Sequence, residues 1–164
     1  MRNGKTIEVM NTDAEGRLIM ADALAYASES KPDIICDVAT LTGAAYVALG
    51  VEIGAVFSNN KKTLESFLNS NSDGFENYHP LPLEQSYKSL IKSKIADMKN
   101  SGGRFGGAIT AALLLEEFVD DLDWVHLDIA GPARSRSNNS IYPEGGTGFG
   151  VLGYFNFLSN EAVS

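Results

Sequence analysis

Short apolar runs alternating with helices that are apolar on nearly every face constrain this chain more than any other feature. Residues 16–30 are good helix formers with apolar side chains nearly all round, Asp22 excepted. A helix of that kind needs cover on all sides, which places it buried against a sheet inside a larger body. Pro32 ends it. Residues 34–39 follow as a short strand, and a near-continuous apolar run of that length suits the centre of a parallel sheet. Thr40-Leu41-Thr42-Gly43 then turns the chain into a short Ala-rich helix over 44–49, before a strand over 53–57 and a surface helix over 61–69. The pattern returns later, with an almost continuously apolar helix over 108–119 and a strand over 124–130. Strands alternating with helices predict an α/β fold of three layers, α/β/α, around a mostly parallel, mixed central sheet.

The segments between are less regular. Asn3-Gly4 is a strong turn signal, so residues 1–10 read as a hairpin feeding an alternating strand over 6–10. Residues 69–83, rich in Asn, Ser and Pro, read as a loop or an interdomain linker, and 87–95 is ambiguous. Residues 134–148 read as a long irregular loop and 149–158 as a final helix. The length of 164 residues fits one domain, and 44% hydrophobic residues are enough for a real core. A formal net charge of −8 argues against a nucleic-acid surface and suits an acidic, cation-attracting site. No stretch approaches the roughly 20 apolar residues of a membrane span, and the first residues have no apolar core of a secretory signal. Cys36 is the only cysteine, lies in an apolar run, and reads as a small buried hydrophobe. The cytoplasm is the expected compartment.

In folds of this class, sites gather at the carboxyl ends of strands. The segments at Asp13, Thr40 and Ala130 all follow predicted strands. The first of them, Asn11-Thr12-Asp13-Ala14-Glu15-Gly16-Arg17-Leu18, sets two acids and an arginine at the edge of an apolar element. Buried acids are costly unless a partner or a metal compensates them, so Asp13 and Glu15 are candidate ligands of a divalent cation. Residues two apart in an extended segment share a face, which would let both carboxylates reach one cation cluster. The plainer reading is a helix start, with Thr12 or Asp13 as cap and Glu15 favoured by the positive end of the dipole.

Other patterns carry less. Gly148-Phe149-Gly150-Val151-Leu152-Gly153 matches a dinucleotide-binding pattern, but it follows a loop and no second strand comes after it. The glycines of 102–107 lack the lysine and hydroxyl of a phosphate loop and read as a tight turn that lets the next helix pack closely. His79 and His126 are isolated and read as structural. Asp128 shares a strand face with His126 and could pair with it or serve as a third metal ligand, while Asp37 and Asp22 read as buried, hydrogen-bonded acids.

The Asp13 block, Ala21-Asp22-Ala23-Leu24, Asp37-Val38-Ala39-Thr40-Leu41-Thr42-Gly43-Ala44, Ala96-Asp97-Met98-Lys99-Asn100, Gly102-Gly103-Arg104-Phe105-Gly106-Gly107-Ala108, His126-Leu127-Asp128-Ile129-Ala130-Gly131-Pro132 and Gly146-Thr147-Gly148-Phe149-Gly150-Val151 stand in one order over nearly the whole chain. Together they closely resemble the leucyl aminopeptidase (cytosol aminopeptidase) family of dinuclear metallopeptidases. The resemblance implies a metal-dependent aminopeptidase that releases N-terminal amino acids from peptides by two-metal activation of water. Hard carboxylate oxygens suit zinc, manganese or magnesium in such a site. By that resemblance Asp13 binds the more readily exchanged metal, Glu15 bridges both, and Arg17 holds a bicarbonate ion as general base. Arginine's planar fork fits such an oxyanion, and the plainer reading of Arg17 is an ion pair to Asp13 or Glu15.

The resemblance further implies that Thr40, Leu41 and Gly43 meet the substrate, with the Leu41 carbonyl near the attacking water. Ala130 falls in the pocket for the N-terminal side chain. Thr40 to Gly43 would also make an ordinary strand-to-helix turn. Family members are longer, and their first half supplies a lysine and two aspartates to the metals and a second lysine to catalysis. The 164 residues therefore read as one domain, the C-terminal portion of a catalytic domain, expected to be inactive alone. The family assembles as hexamers. The alternative reading is a non-catalytic oligomerisation or binding module derived from the same family.

Overall fold

Four strands form the central sheet in the order β2-β6-β3-β4, comprising β2 (Ile34–Ala39), β3 (Ile53–Ser58), β4 (Asn77–Pro80) and β6 (Asp123–Asp128). β2 runs parallel to β6, β6 antiparallel to β3, and β3 parallel to β4, so the sheet is mixed with parallel pairs in the majority. The computed structural model describes residues 1–72, 74–138 and 142–161. Helices cover both faces, as the alternation of strands and helices requires. On one side lie α1 (Gly16–Ser28), α2 (Gly43–Leu49) and α4 (Gly107–Glu116), whose Leu24, Ala45 and Leu113 pack with Ile35, Phe57 and Trp124 of the sheet. On the other lie α3 (Lys61–Ser70) and α5 (Val151–Glu161), whose Phe67 and Phe157 pack with Val56, Val125 and Leu127. Successive residues of β6 enter opposite clusters, the period-two signature of a strand covered on both faces.

Several expectations change in the structure. The Asn3-Gly4 turn forms, with Gly4 at φ +86° and its N–H bonded to the Met1 carbonyl, but no hairpin follows. The short strand β1 (Ile7–Glu8) instead pairs parallel with β5 (Met98–Lys99), a partner no local signal could name. Part of the expected 69–83 loop is the edge strand β4, which tolerates Pro80 because an edge leaves backbone N–H groups unpaired. The expected loop over 134–148 closes through a short antiparallel ribbon of β7 (Arg134–Ser135) and β8 (Gly145–Gly146), residues 139–141 lying outside the described residues. The ambiguous stretch contains a 3-10 helix, Gln85–Ile91, packed beside α4. α4 is buried on nearly all faces, as its sequence implies, whereas α1 is not: Ile19 is 70% and Tyr26 65% exposed. Asp22 is likewise exposed, and accepts a hydrogen bond from the Arg2 backbone. Burial pushes the Cys36 thiol up to about 12, with the neighbouring Asp37 charge adding to the shift, which fits an inert structural cysteine.

The glycine pattern at 148–153 also finds its explanation. Gly150, at φ +98°, leads into α5, and its N–H and that of Gly153 both donate to the carboxylate of Glu76, at 2.8 and 2.7 Å. The place a phosphate would take at a helix start is thus filled by a buried side chain of the same protein. Tyr78 donates its hydroxyl to the same carboxylate and crosses Gly153 so closely that a Cβ there would sit 2.1 Å from the phenol oxygen. Glu76→Ala strands two helix-start N–H groups and the phenol. It is expected to cost about 3 kcal/mol in urea denaturation, mainly through a lower midpoint at unchanged slope.

Candidate metal and substrate site

The acid-bearing segment is a tight turn, not an extended strand. Asn11 has extended backbone and caps a 3-10 turn, Thr12–Ala14, by accepting the Asp13 N–H on its side chain at 3.0 Å. The cap is therefore Asn11, and neither Thr12 nor Asp13 takes that role. Glu15 is the first residue of the α1 entry, with helical φ and ψ and no capping bond from its side chain. The alternation argument for a shared face does not apply to this geometry, yet both acids end up exposed on either side of the buried Ala14. Among the described residues neither carboxylate makes a hydrogen bond or an ion pair, so Arg17 is not their structural partner. Arg17 donates instead to the Asn100 backbone carbonyl at 2.9 Å, and its Nε is buried without an acceptor. Burial pulls its guanidinium below the usual value, and the Asp128 charge opposes that shift.

The second segment leaves the carboxyl end of β2, beside the carboxyl end of the parallel β6. The ladder continues past the strands, with the Ile129 N–H on the Ala39 carbonyl at 2.8 Å. Asp128, 1% exposed, then gathers the loop. One of its oxygens accepts the N–H groups of Leu41, Thr42 and Ala130 at 3.0, 3.3 and 3.2 Å, and the other accepts the Thr42 hydroxyl at 2.6 Å. Thr42 in turn caps α2 by accepting the Ala45 N–H at 3.0 Å. Gly43 faces open space: a Cβ there would touch nothing within 4 Å, so packing does not demand the glycine. Gly131 is demanded, because its Cβ would lie 2.0 Å from the Gly50 carbonyl at the end of α2.

These two segments meet. Asp13, Glu15, Arg17, Thr40 and Leu41 line one depression of about 340 Å³, together with Ile19 and Met20 of α1. Gly43 and Ala130 do not line it; Ala130 is tied to it only through Asp128. The donor chemistry fits one edge of a metal centre, since two free carboxylates offer hard, charged oxygens to a divalent ion. No further His, Cys, Asp or Glu joins them in a metal-holding group among the described residues.

A family model described as the catalytic domain of the cytosol aminopeptidase family matches residues 1–153. This chain belongs to the cytosol aminopeptidase family. It is 51% identical over 160 residues to the "Probable cytosol aminopeptidase" of Prochlorococcus marinus subsp. pastoris, covering 97% of this chain and 33% of that relative. A solved tomato leucine aminopeptidase mutant matches with a TM-score of 0.90 at 44% identity, over 96% of this chain and 31% of that one. The bottromycin maturation enzyme BotP, solved in complex with Mn, matches with a TM-score of 0.92 at 38% identity, over 98% of this chain and 36% of that one. The chain spans about a third of the length of the curated relatives it matches.

Sequence reasoning left two organising residues of this aminopeptidase-family chain without their roles. Asp128 neither pairs with His126 nor joins the two acids as a ligand. His126 pairs with Asp37, directly opposite in the β2–β6 register, and Trp124 donates its indole N–H to the same acid. Asn100 received no role at all. Only strand register could have revealed either partner. Asp128→Ala is expected to leave the buried Thr42 N–H and the half-buried Leu41 and Ala130 N–H groups without an acceptor and to cost about 3 kcal/mol. Amide hydrogen exchange is expected to speed up at Leu41, Thr42 and Ala130 well beyond the rest of the chain.

Proposed function

We propose that this chain carries one flank of the site of a metal-dependent aminopeptidase that releases N-terminal amino acids from peptides. The observation that carries this reading is the pair of unpartnered carboxylates, Asp13 and Glu15, sharing a depression with Arg17 and Leu41. Asp128 and Glu76 are buried and their oxygens are taken up by donors of the chain, whereas Asp13 and Glu15 are exposed and their oxygens remain open to an incoming ion. Asp13 and Glu15 would hold divalent ions, zinc or manganese, or magnesium, as hard oxygen donors. When bound, such ions polarise the scissile carbonyl and acidify water.

The chain's own residues would do the rest. Arg17, a half-buried cation with a donor left over, is suited to hold an oxyanion such as bicarbonate that takes a proton from water. Thr40 and Leu41 would present backbone at the rim for a peptide, and Gly43 and Ala130, which lie outside the depression, would meet the substrate beyond it, Ala130 beside its N-terminal side chain. In this reading the single domain is the C-terminal portion of a catalytic domain, and the remaining ligands belong to the other two thirds of proteins like its relatives. A homo-oligomer, a hexamer by family resemblance, and a cytoplasmic location belong to the same proposal.

Calorimetric titration with Zn²⁺ and Mn²⁺ tests the core of it. The expected result is a binding signal for this chain that disappears in the Asp13→Ala/Glu15→Ala double variant. Identical titrations for the two proteins would sink the assignment of these carboxylates as ligands. Peptide hydrolysis by the chain alone is expected to be absent, because two carboxylates leave each ion short of its usual four to six ligands, a roughly half-built shell.

A further inference from the structure

Asn100 stands directly after β5 and is fully buried, at 0% exposure. Every hydrogen-bonding group of its side chain is spent on the acid-bearing segment. Its carbonyl oxygen accepts the N–H groups of Met10 and Asn11, at 2.8 and 3.2 Å. Its amide nitrogen donates to the carbonyls of Asn11 and Ala14, at 2.7 and 3.4 Å. A primary amide offers two acceptor positions and two N–H donors, so this set saturates it. The backbone carbonyl of the same residue receives Arg17, at 2.9 Å. The turn that presents Asp13 and Glu15 and the guanidinium of Arg17 are therefore both referred to one buried residue.

Asn100 is itself held firmly. Its N–H bonds to the Glu8 carbonyl at 3.0 Å, extending the β1–β5 ladder by one rung. The other end of that ladder is locked by Asp97, whose carboxylate accepts both the N–H and the hydroxyl of Thr6, at 2.8 and 2.7 Å. Downstream, Gly102 lies against Thr110 of α4, where a Cβ would come within 2.9 Å of the threonine methyl. A group meant only to fill the end of a two-residue ladder has no need of four side-chain bonds to a loop carrying free carboxylates. Rigid support of this kind is what a preorganised ligand set requires.

We propose that Asn100 is a positioning residue of the metal site: its side-chain amide sets the turn that carries Asp13 and Glu15, and its backbone carbonyl sets Arg17, fixing the spacing between the carboxylates and the cation. The inference rests on the reading of Asp13 and Glu15 as ligands. Removing the side chain frees the turn while leaving the Arg17 acceptor in place, so the two halves of the site lose their common reference. Outer groups that orient metal ligands commonly contribute about 10- to 100-fold in affinity.

The test uses the whole chain with Asn100→Ala and the milder Asn100→Ser, at a temperature where circular dichroism shows each protein folded. Two quantities are read: Mn²⁺ affinity by calorimetry, and amide exchange by NMR at Met10 and Asn11 against Gly150 and Gly153. The expected result is about a tenfold or greater loss of Mn²⁺ affinity. Exchange should accelerate at Met10 and Asn11 while Gly150 and Gly153 keep their wild-type protection. Asn100→Ser, which keeps one donor and one acceptor, should fall between and covers the case in which the alanine variant does not fold. Unchanged Mn²⁺ affinity, or exchange that rises evenly across all four amides, overturns the positioning role. A wild-type chain that takes up no Mn²⁺ defeats the ligand reading itself, whereas wild-type binding with an unaffected Asn100→Ala defeats the positioning role alone.

Discussion

The carboxylate of Asp128 holds the architecture of this depression together. Taking such a charge out of water costs several kcal/mol even after relaxation, and it is tolerated only where good donors replace the lost solvent. Here three backbone N–H groups and a threonine hydroxyl do so, and the Arg17 charge adds to them. The donors come from two different strand ends, so satisfying the acid forces the β2 and β6 exits into one fixed arrangement. Thr42 extends the effect, because the same hydroxyl that donates to Asp128 accepts the Ala45 N–H and starts α2. One buried charge thus sets the position of a loop, the start of a helix and the electrostatic neighbour of Arg17.

The same device recurs through the fold, and it changes how the net charge of −8 reads. Glu76 caps α5 from across the sheet edge, and Asp123 binds the amide of Asn60 and the hydroxyl of Thr63 at the start of α3. Asp37 receives both Trp124 and His126. Several acids that count toward an acidic surface on composition are fasteners of the fold, Glu76 taking up helix-start N–H groups and Asp37 and Asp123 taking up polar side chains of neighbouring elements. Asp13 and Glu15 are not fasteners of this kind: both are exposed and unpartnered among the described residues, a state they share with exposed acids such as Asp33, Asp120 and Asp121, and what sets them apart is their place in one depression with Arg17 and Leu41.

What the sequence made legible and what it hid divide along a physical line. α4 and β6 are enclosed on both sides, so their apolar runs are long and their assignment follows from composition, whereas β2, whose apolar run suggested the centre of the sheet, is its outer strand, with only Ile35 buried and Val38 45% exposed. β4 was hidden because an edge strand with one covered face can afford Asn77, His79 and Pro80, which read as loop. α1 misled in the opposite sense: its apolar residues run round the helix, but Ile19 and Tyr26 are exposed among the described residues. The Asp13 motif and the Thr40 loop were readable because their residue types are chemically unusual at the edge of apolar segments. Asp128 and Asn100 were not, because an acid inside a strand and an asparagine after one gain their meaning from partners more than 80 residues away. Register, which local periodicity cannot supply, is the missing information in both cases.

The turn at Thr12–Ala14 bears on how the two carboxylates would share ions. An extended segment would stack residues two apart on one face, whereas a 3-10 turn advances about 120° per residue and splays them. Ala14, buried between them, takes the inward direction that neither charged neighbour could occupy. Under the proposed reading the two carboxylates suit a division of labour, with one acid on a single ion and the longer Glu15 reaching between two. That division depends on the turn keeping its pitch, and the pitch is held from outside by the Asn11 cap and the Asn100 amide rather than by the acids themselves. Under the proposed reading the charged residues would carry the chemistry of the motif, while the turn that presents them is held by two neutral asparagines.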